Sequence, residues 1–197
     1  MAFLSFEADG AVMSFTLVLG GARSGKSRHA EELIEAHAAP WTYIATAQAF
    51  DDEMRARISL HRARRPQGWT TVDAPIALPD AIREADHGQA ILVDCLTLWL
   101  TNWRMPMHPV EAPCFESNPA ADHASIESVA LLLEAISAAP GPLVLVGNEI
   151  GLGVIPMGAE VRAFVDALGR LNQQVAEVCA RVTLMAAGLP LTLKAPA

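Results

Sequence analysis

A glycine-rich segment, Gly20 to Ser27, carries the strongest chemical signal in the sequence. Its residues, GGARSGKS, match the pattern G-x-x-x-x-G-K-[ST] of a phosphate-binding loop. Glycines let the backbone turn tightly, so that successive N–H groups point inward at phosphate oxygens. Lys26 can reach the β- and γ-phosphates, and the Ser27 hydroxyl can bind Mg²⁺. The sequence therefore predicts a nucleoside triphosphate site with contacts from Gly20, Gly21, Ala22, Arg23, Ser24, Gly25, Lys26 and Ser27.

The segments on either side of this loop have the patterns of a strand and a helix. Phe15 to Leu19 is a short apolar run of the kind that forms a buried parallel strand. Ser27 to His37 places Ala30, Leu33 and Ile34 at helical spacing. A strand, a glycine-rich turn and a helix are the context that a phosphate loop requires, and the helix N-terminus adds partial positive charge.

A later apolar run ends in an acid. Ala90 to Leu96 is continuous and hydrophobic except for Asp94. In phosphate-loop proteins, an acid at the end of a buried strand is the second Mg²⁺ ligand. The sequence therefore predicts Mg²⁺ bound by Ser27 and Asp94, together with a nucleotide that is a substrate, GTP or ATP.

Polar residues also follow two other predicted strands. Leu143 to Val146 leads into Asn148 and Glu149, at the position where open α/β sheets bind ligands. The strand predicted from Pro40 to Thr46 likewise ends in polar residues. We therefore predict further nucleotide contacts from Thr46, Ala47 and Gln48.

A basic helix is predicted from Asp52 to Arg65. Within it, His61 lies one helical turn from Arg57, Arg64 and Arg65. Arginines bind phosphates, often through two hydrogen bonds, and positive neighbours disfavour protonation of an imidazole. A neutral His61 would then be available as a nucleophile. The alternative is a solvated basic helix in which the histidine is incidental.

The alternation of strands and helices predicts the fold. It favours an α/β protein with a mostly parallel sheet and helices on both faces, of the P-loop NTPase type and RecA-like. We expect one domain over residues 15–197 and a poorly ordered, dispensable leader over residues 1–14. Arg104 to His123 contains four prolines and is predicted to be a loop. Three of its residues fit no known metal spacing and are interpreted as solvated: His108, Cys114 and His123.

The composition narrows the classes of protein. The 197 residues have a formal net charge of −8, which argues against general nucleic-acid binding. No apolar run reaches the length of a membrane span, because Asp94, Asn102 and Arg104 interrupt the longest candidate. The three cysteines are odd in number and have no paired metal spacing. We therefore expect a reduced, cytoplasmic protein.

Taken together, the motifs resemble one enzyme family over roughly residues 15 to 194. This is the bifunctional adenosylcobinamide kinase and adenosylcobinamide-phosphate guanylyltransferase family of cobalamin biosynthesis. The matching motifs are GGARSGKSRHAE from Gly20 to Glu31, YIATAQ from Tyr43 to Gln48, DDEM from Asp51 to Met54 with Arg57, Ile58 and His61, VDCLT from Val93 to Thr97 with Asn102, NEIGLG from Asn148 to Gly153 with Pro156, and GRLNQ from Gly169 to Gln173.

The resemblance implies two reactions. In the first, ATP or GTP phosphorylates the aminopropanol hydroxyl of adenosylcobinamide. In the second, GTP transfers GMP through a guanylyl-histidine at His61, giving adenosylcobinamide-GDP and pyrophosphate. Some members have Glu where this chain has Asp94, and either acid can bind Mg²⁺. The resemblance also implies a homotrimer.

Other residues of the basic helix and its neighbourhood have roles that fit these reactions. The segment after His61 would hold the GTP phosphates, and it comprises Arg62, Ala63, Arg64 and Arg65. Asp73 can accept hydrogen bonds from guanine N1 and N2, or it can be a turn residue before Ala74 and Pro75. Two other functions remain open: a small-molecule kinase without guanylyl transfer, and a GTP-binding protein without catalysis.

Overall fold

The computed structural model describes residues 15–104 and 119–196, except for the side chains of Arg57, His61, Arg64 and residues 119–125. The predicted leader over residues 1–14 lies outside the described residues. So do positions 105–118 of the predicted loop, together with the His123 side chain.

Strands and helices alternate through the described part of the chain. In chain order they are β1 Phe15–Gly20, α1 Lys26–Glu35, β2 Trp41–Ala45, α2 Asp52–Arg64, β3 Trp69–Asp73, α3 Leu78–Arg83, β4 Ala90–Asp94, α4 Leu96–Arg104, α5 Pro119–Ser137, β5 Leu143–Asn148, α6 Ala159–Val178, β6 Arg181–Ala186 and β7 Leu189–Lys194. No described helix is both long and apolar enough to cross a membrane.

The strands form one sheet in the order β3-β2-β4-β5-β1-β6-β7. The first six strands run parallel to one another, because helices carry the chain back between them. The last strand, β7, is antiparallel to β6. The two-residue connection from β6 to β7 has positive φ at Ala187 (52°) and Gly188 (78°), as a tight type I′ hairpin requires. The predicted α/β fold with a mostly parallel sheet is confirmed.

Both faces of the sheet are covered, because alternate strand residues point to opposite sides. On β1, Val18 packs with Ala30 and Ile34 of α1 in one buried cluster. Its neighbours Leu17 and Leu19 lie in a larger cluster with residues of α3, α4, α5 and α6. The phosphate-loop strand is thus in the middle of the sheet and buried on both sides.

Helix α5 differs from the sequence prediction in two ways. It begins at Pro119, so the predicted loop ends before that residue, and a proline is compatible with the first helical turn. The spacing of apolar residues in the sequence predicts a helix over Ser125 to Ala138 whose core face is Ile126, Val129, Leu132, Leu133 and Ile136, but Ile126 is 66% exposed. The other four do face the core, because Leu132 and Ile136 are buried and Val129 and Leu133 pack against the same cluster. Ser128 and Ala135 of the helix are buried as well. The predicted face is therefore right except at its first residue, and the buried face includes small residues as well as large ones.

Strand register brings the predicted site residues to one edge of the sheet. Gly20 at the end of β1 is level with Asn148 at the end of β5. Ala45 at the end of β2 pairs with both Asp94 of β4 and Asp73 of β3. Parallel strands end on the same side, so residues far apart in sequence meet there.

The buried side-chain amide of Asn102 holds the segments that follow β2 and β3 at this edge. The Asn102 side chain on α4 is 9% exposed and donates hydrogen bonds to the carbonyl oxygens of Thr46 (2.8 Å) and Pro75 (2.9 Å). The Thr46 and Pro75 carbonyls follow the ends of β2 and β3. Asn102 therefore ties α4 to the segments that leave these two strands.

We predict that Asn102→Ala lowers the free energy of unfolding by about 2 to 3 kcal/mol, because two carbonyl groups lose their partner. Urea denaturation would measure the change. Thr101→Ala is the matched control, since the hydrogen bond of the Thr101 hydroxyl in the described part of the chain stays within α4, to the Thr97 carbonyl. Equal losses in the two variants would contradict the proposed tie.

Candidate active site

The phosphate loop has the strained turn that its glycines predict. Gly25 caps α1 with φ of 93°, and Arg23 has φ of 57°. A Cβ at Gly20 would lie 2.4 Å from Ser24 Oγ and 2.8 Å from the Met185 carbonyl oxygen, whereas one at Gly21 would meet nothing within 4 Å. Close approach at Gly20 and left-handed backbone at Gly25 explain why those two positions are glycine.

Hydrogen bonds from other parts of the sheet hold the loop in place. The Glu149 N–H donates to the Gly20 carbonyl (3.2 Å), and the Gly188 N–H donates to the Ser24 carbonyl (3.0 Å). The loop is therefore anchored to the segment after β5 and to the β6–β7 turn. Within it, the Ser24 hydroxyl is buried and has no hydrogen-bond partner among the described residues.

Lys26 folds back over the loop in the structure. Its Nζ donates to the Gly21 carbonyl oxygen at 3.2 Å. This places the ammonium group at the open side of the loop, where anionic phosphate oxygens would be the stronger acceptors. The Ser24 hydroxyl without a described partner and the Lys26 ammonium group, which is bonded to one backbone carbonyl, are both suited to binding a polyphosphate.

The donor set for Mg²⁺ is present in the same cleft. Ser27 and Asp94 both line it, and hydroxyl and carboxylate oxygens are the hard ligands that Mg²⁺ prefers. The Tyr43 hydroxyl donates to Asp94 Oδ2 at 2.9 Å. These residues fit the metal predicted from the sequence.

Two ionisable groups near Asp94 are held neutral. Burial, and then the Asp94 charge, raise the pKa of Tyr43 well above its usual range. The same causes raise the pKa of Cys95 to about 12. Nucleophilic attack by cysteine requires the thiolate, so Cys95 is inert at neutral pH.

Helix α2 forms the opposite side of the cleft. Its N-terminus is where the sequence predicts, with the Asp51 side chain accepting from the Met54 N–H at 2.7 Å. No described side chain of α2 is buried. Polar contacts from its C-terminal end reach β3 instead: Arg62 to Asp73 at 3.1 Å, and Arg65 to the Thr71 hydroxyl at 3.1 Å.

His61 lies on α2 by its backbone, but its side chain is outside the described residues, as are those of Arg57 and Arg64. The residues before and after it in sequence, Leu60 and Arg62, line the cleft. The helix therefore brings the backbone of the predicted nucleophile to the cleft that contains the phosphate loop.

The cleft has a volume of about 1070 Å³. The predicted site residues that line it are Ala22, Arg23, Ser24, Gly25, Lys26, Ser27, Ala47, Arg62, Arg65, Asp73 and Asp94. Other described residues predicted for the site are not among its lining: Gly20, Gly21, Thr46, Gln48 and Ala63. The structure thus joins the phosphate loop, the acid and the basic helix in one space.

Thr46 occupies a different place from the one its polarity suggested. It is fully buried, and its hydroxyl donates to the Cys95 carbonyl oxygen and accepts from the Cys95 N–H, both at 2.8 Å. The side chain joins the ends of β2 and β4 below the cleft. Its contribution to the site is therefore to hold Cys95, the residue after Asp94.

Several cleft residues were not selected as site residues from the sequence. Tyr43 lies inside an apolar strand, and only its hydroxyl, unusual in such a run, signalled a polar partner. Asn148, the last residue of β5, was placed at the ligand edge by the sequence but given no contact, and its N–H donates to the Thr97 hydroxyl at 2.8 Å. The apolar members Met54, Ile58 and Leu98 gave no signal that separates them from core residues.

Known structures with this fold are distant in sequence. The structure of Project ID PH0250 from Pyrococcus horikoshii OT3 has a TM-score of 0.53 and 10% identity, covering 93% of this chain and 87% of that chain. The ATPase EscN of the enteropathogenic E. coli type III secretion system has a TM-score of 0.51 and 12% identity, covering 88% and 43%. With the phosphate loop after β1, the sheet is that of a RecA-like P-loop NTPase.

Curated relatives are much closer in sequence. The bifunctional adenosylcobalamin biosynthesis protein CobP of Pseudomonas aeruginosa is 49% identical over 179 residues, covering 90% of this chain and 96% of the relative. The bifunctional adenosylcobalamin biosynthesis protein CobU of Escherichia coli is 38% identical, covering 90% and 98%. The family described as cobinamide kinase / cobinamide phosphate guanyltransferase matches residues 16–193. This chain belongs to that family.

Proposed function

We propose that this protein phosphorylates adenosylcobinamide with ATP or GTP and then transfers GMP from GTP to the product, yielding adenosylcobinamide-GDP. One observation carries the proposal: the phosphate loop and helix α2 line the same cleft of about 1070 Å³. The names of the relatives and the family description support both activities.

The phosphate loop performs the first step. Loop N–H groups and Lys26 hold the triphosphate and stabilise the negative charge on the transferring phosphoryl group. Ser27 and Asp94 would hold Mg²⁺, and the bound ion would supply positive charge to the phosphate oxygens. The hydroxyl oxygen of the aminopropanol group attacks the γ-phosphorus and gives up its proton to solvent. The new oxygen–phosphorus bond forms as the bond from the γ-phosphorus to the bridging oxygen breaks, and the nucleoside diphosphate leaves.

Helix α2 supplies the nucleophile of the second step. The neutral His61 imidazole attacks the α-phosphorus of GTP, so that a nitrogen–phosphorus bond forms and pyrophosphate leaves. A phosphate oxygen of adenosylcobinamide phosphate then attacks the same phosphorus, and the nitrogen–phosphorus bond breaks. The histidine is restored, and the product carries the new diphosphate link.

Charge in this step is balanced by the arginines that follow His61. Arg62 and Arg65 line the cleft, and the segment that includes Ala63 and Arg64 connects them. Arg62 is paired with Asp73, and both side chains are at least half exposed. Guanine N1–H and N2–H donors would compete for the Asp73 carboxylate, which would select guanine over adenine.

We also propose that the protein acts as a homo-oligomer, a trimer as in the family it resembles. Among the described residues, exposed large apolar side chains are grouped in two segments, and burial against another copy would remove them from water. On the edge strand β7 they are Leu189, Leu191 and Leu193, and after β5 they are Leu152, Val154, Ile155 and Met157. Sedimentation of the purified protein is expected to give a species larger than one chain, and a monomer at micromolar concentration would contradict this proposal.

We predict that Lys26→Ala weakens triphosphate binding and lowers the rate of both reactions by at least about 100-fold, because the loop loses its stabilising cation. Calorimetric titration and a coupled activity assay would measure the two effects. Glu32→Ala is a suitable control, since Glu32 forms an exposed pair with Arg28 on α1. Full activity in the Lys26 variant would exclude the loop from catalysis.

We predict that His61→Ala abolishes covalent labelling of the protein by α-labelled GTP and stops formation of adenosylcobinamide-GDP. The bond in the normal protein should be labile to acid and stable to base, as a phosphoramidate is and a serine ester is not. Phosphorylation of adenosylcobinamide should persist at least in part, because Lys26, Ser27 and Asp94 are unchanged.

His37→Ala, at an exposed position after α1, should label normally. Covalent GMP on the His61 variant would mean that another residue is the nucleophile. Complete loss of the kinase step along with transfer would mean that His61 has a shared binding role. A normal protein that phosphorylates the substrate but never takes up label would be a kinase alone, and one that binds GTP with neither reaction would be a binding protein.

A further inference from the structure

Tyr43 lies between the two halves of the cleft. Its hydroxyl donates to Asp94 Oδ2 at 2.9 Å, and Arg65 Cζ lies 3.6 Å from the centre of its ring. The tyrosine is 5% exposed. The Tyr43 side chain thus contacts both Asp94, on the side of the cleft that contains the phosphate loop, and Arg65, at the end of α2.

The sheet fixes where this ring can be. Tyr43 pairs with Leu92 on β4, and Asp94 is two residues further along that strand, so all three point to the same face. Trp69 packs edge-on against the ring with centroids 6.1 Å apart, and its indole N–H donates to Glu35 at 3.2 Å. Packing of this kind locks a side chain that has to hold another in place.

The chemistry of the donor matters as much as its position. A phenol is a neutral donor, so it orients the Asp94 carboxylate without cancelling its charge, as a lysine or arginine partner would. The flat ring also gives the Arg65 guanidinium a surface to stack on while its N–H groups remain at the edges.

We propose that Tyr43 is a positioning residue for both reactions: its hydroxyl sets the orientation of Asp94 toward Mg²⁺, and its ring sets the orientation of Arg65 toward the nucleotide phosphates. The inference rests on the proposed function, which assigns those roles to Asp94 and Arg65. Tyr43 acts through Asp94 and Arg65 and does not need to contact the substrate.

The first test measures binding of a non-hydrolysable GTP analogue as Mg²⁺ is varied, with EDTA as the zero point. Tyr43→Phe keeps the ring and removes only the hydroxyl. We expect the Mg²⁺ concentration for half-maximal binding to rise about 10-fold, with unchanged affinity in EDTA. Glu32→Ala removes an exposed carboxylate of α1 that pairs with Arg28 and has no contact role at Asp94, so its Mg²⁺ dependence should remain normal. An unchanged dependence in Tyr43→Phe overturns the role of the hydroxyl.

The variant Asp94→Asn shows whether an unchanged Mg²⁺ dependence in Tyr43→Phe contradicts the role of Tyr43 or the proposed metal site itself. If that variant keeps the normal Mg²⁺ dependence, Asp94 is not the metal ligand and the proposed metal site is wrong. If it loses the dependence while Tyr43→Phe stays normal, the metal site stands and the inference about Tyr43 is wrong.

The second test uses the fact that Tyr43 is the only tyrosine in the chain. Protein labelled with ¹³C at tyrosine Cζ gives one resonance. We expect it to shift when the GTP analogue binds in EDTA, through Arg65, and to shift again when Mg²⁺ is added, through Asp94. Arg65→Lys should reduce the first shift and leave the second. A resonance that responds to neither addition overturns the proposal.

Discussion

Parallel pairing of β1 with β5, and of β4 with β2 and β5, is the constraint on which the site depends. Each strand runs in the same direction, so the chain leaves every one of them at the same edge. Gly20, Asp94 and Asn148 are in consequence close together although more than 50 residues separate each from the next in sequence. A shift of one residue in any strand pairing would move the side chains of that strand, including the polar ones at its end, to the opposite face of the sheet. The apolar runs that fix register are thus also what aligns the reacting groups.

Two kinds of force hold the two sides of the cleft. Helix α1, behind the phosphate loop, buries Ala30 and Ile34 against the sheet. Helix α2 has no buried side chain among those described, and its described contacts with β3 come from Arg62 and Arg65. Exposed charge pairs are weak in water and screened by salt. Phosphate groups entering the cleft therefore meet a preformed loop on one side and, on the other, arginines whose present partners are replaceable.

The sequence was sufficient to predict what local patterns encode. The phosphate loop, the acid at the end of β4 and the parallel α/β sheet were all predicted, because each has a short motif or a regular period. The Thr46 hydroxyl was misleading, since a polar residue at a strand end is as suitable for a buried backbone bond as for a ligand. The hydrogen bond from Tyr43 to Asp94 and the pair of Arg62 with Asp73 depend on register between strands that no local pattern specifies. In α5, the buried face also includes Ser128 and Ala135, small residues that the predicted apolar face did not contain.

The three glycines of the phosphate loop meet three different surroundings. Gly20 is closed in by Ser24 and Met185, Gly25 combines a left-handed backbone with a position where an added Cβ would lie 3.3 Å from Gly188 Cα, and Gly21 faces open space. Glycine is therefore required by steric fit at positions 20 and 25, whereas position 21 has room for a side chain. Met185 and Gly188 belong to the last hairpin, about 160 residues downstream. The last hairpin therefore helps to set the shape of the phosphate loop although it lies outside the motif: a side chain at position 25 would press on the backbone of the β6–β7 turn.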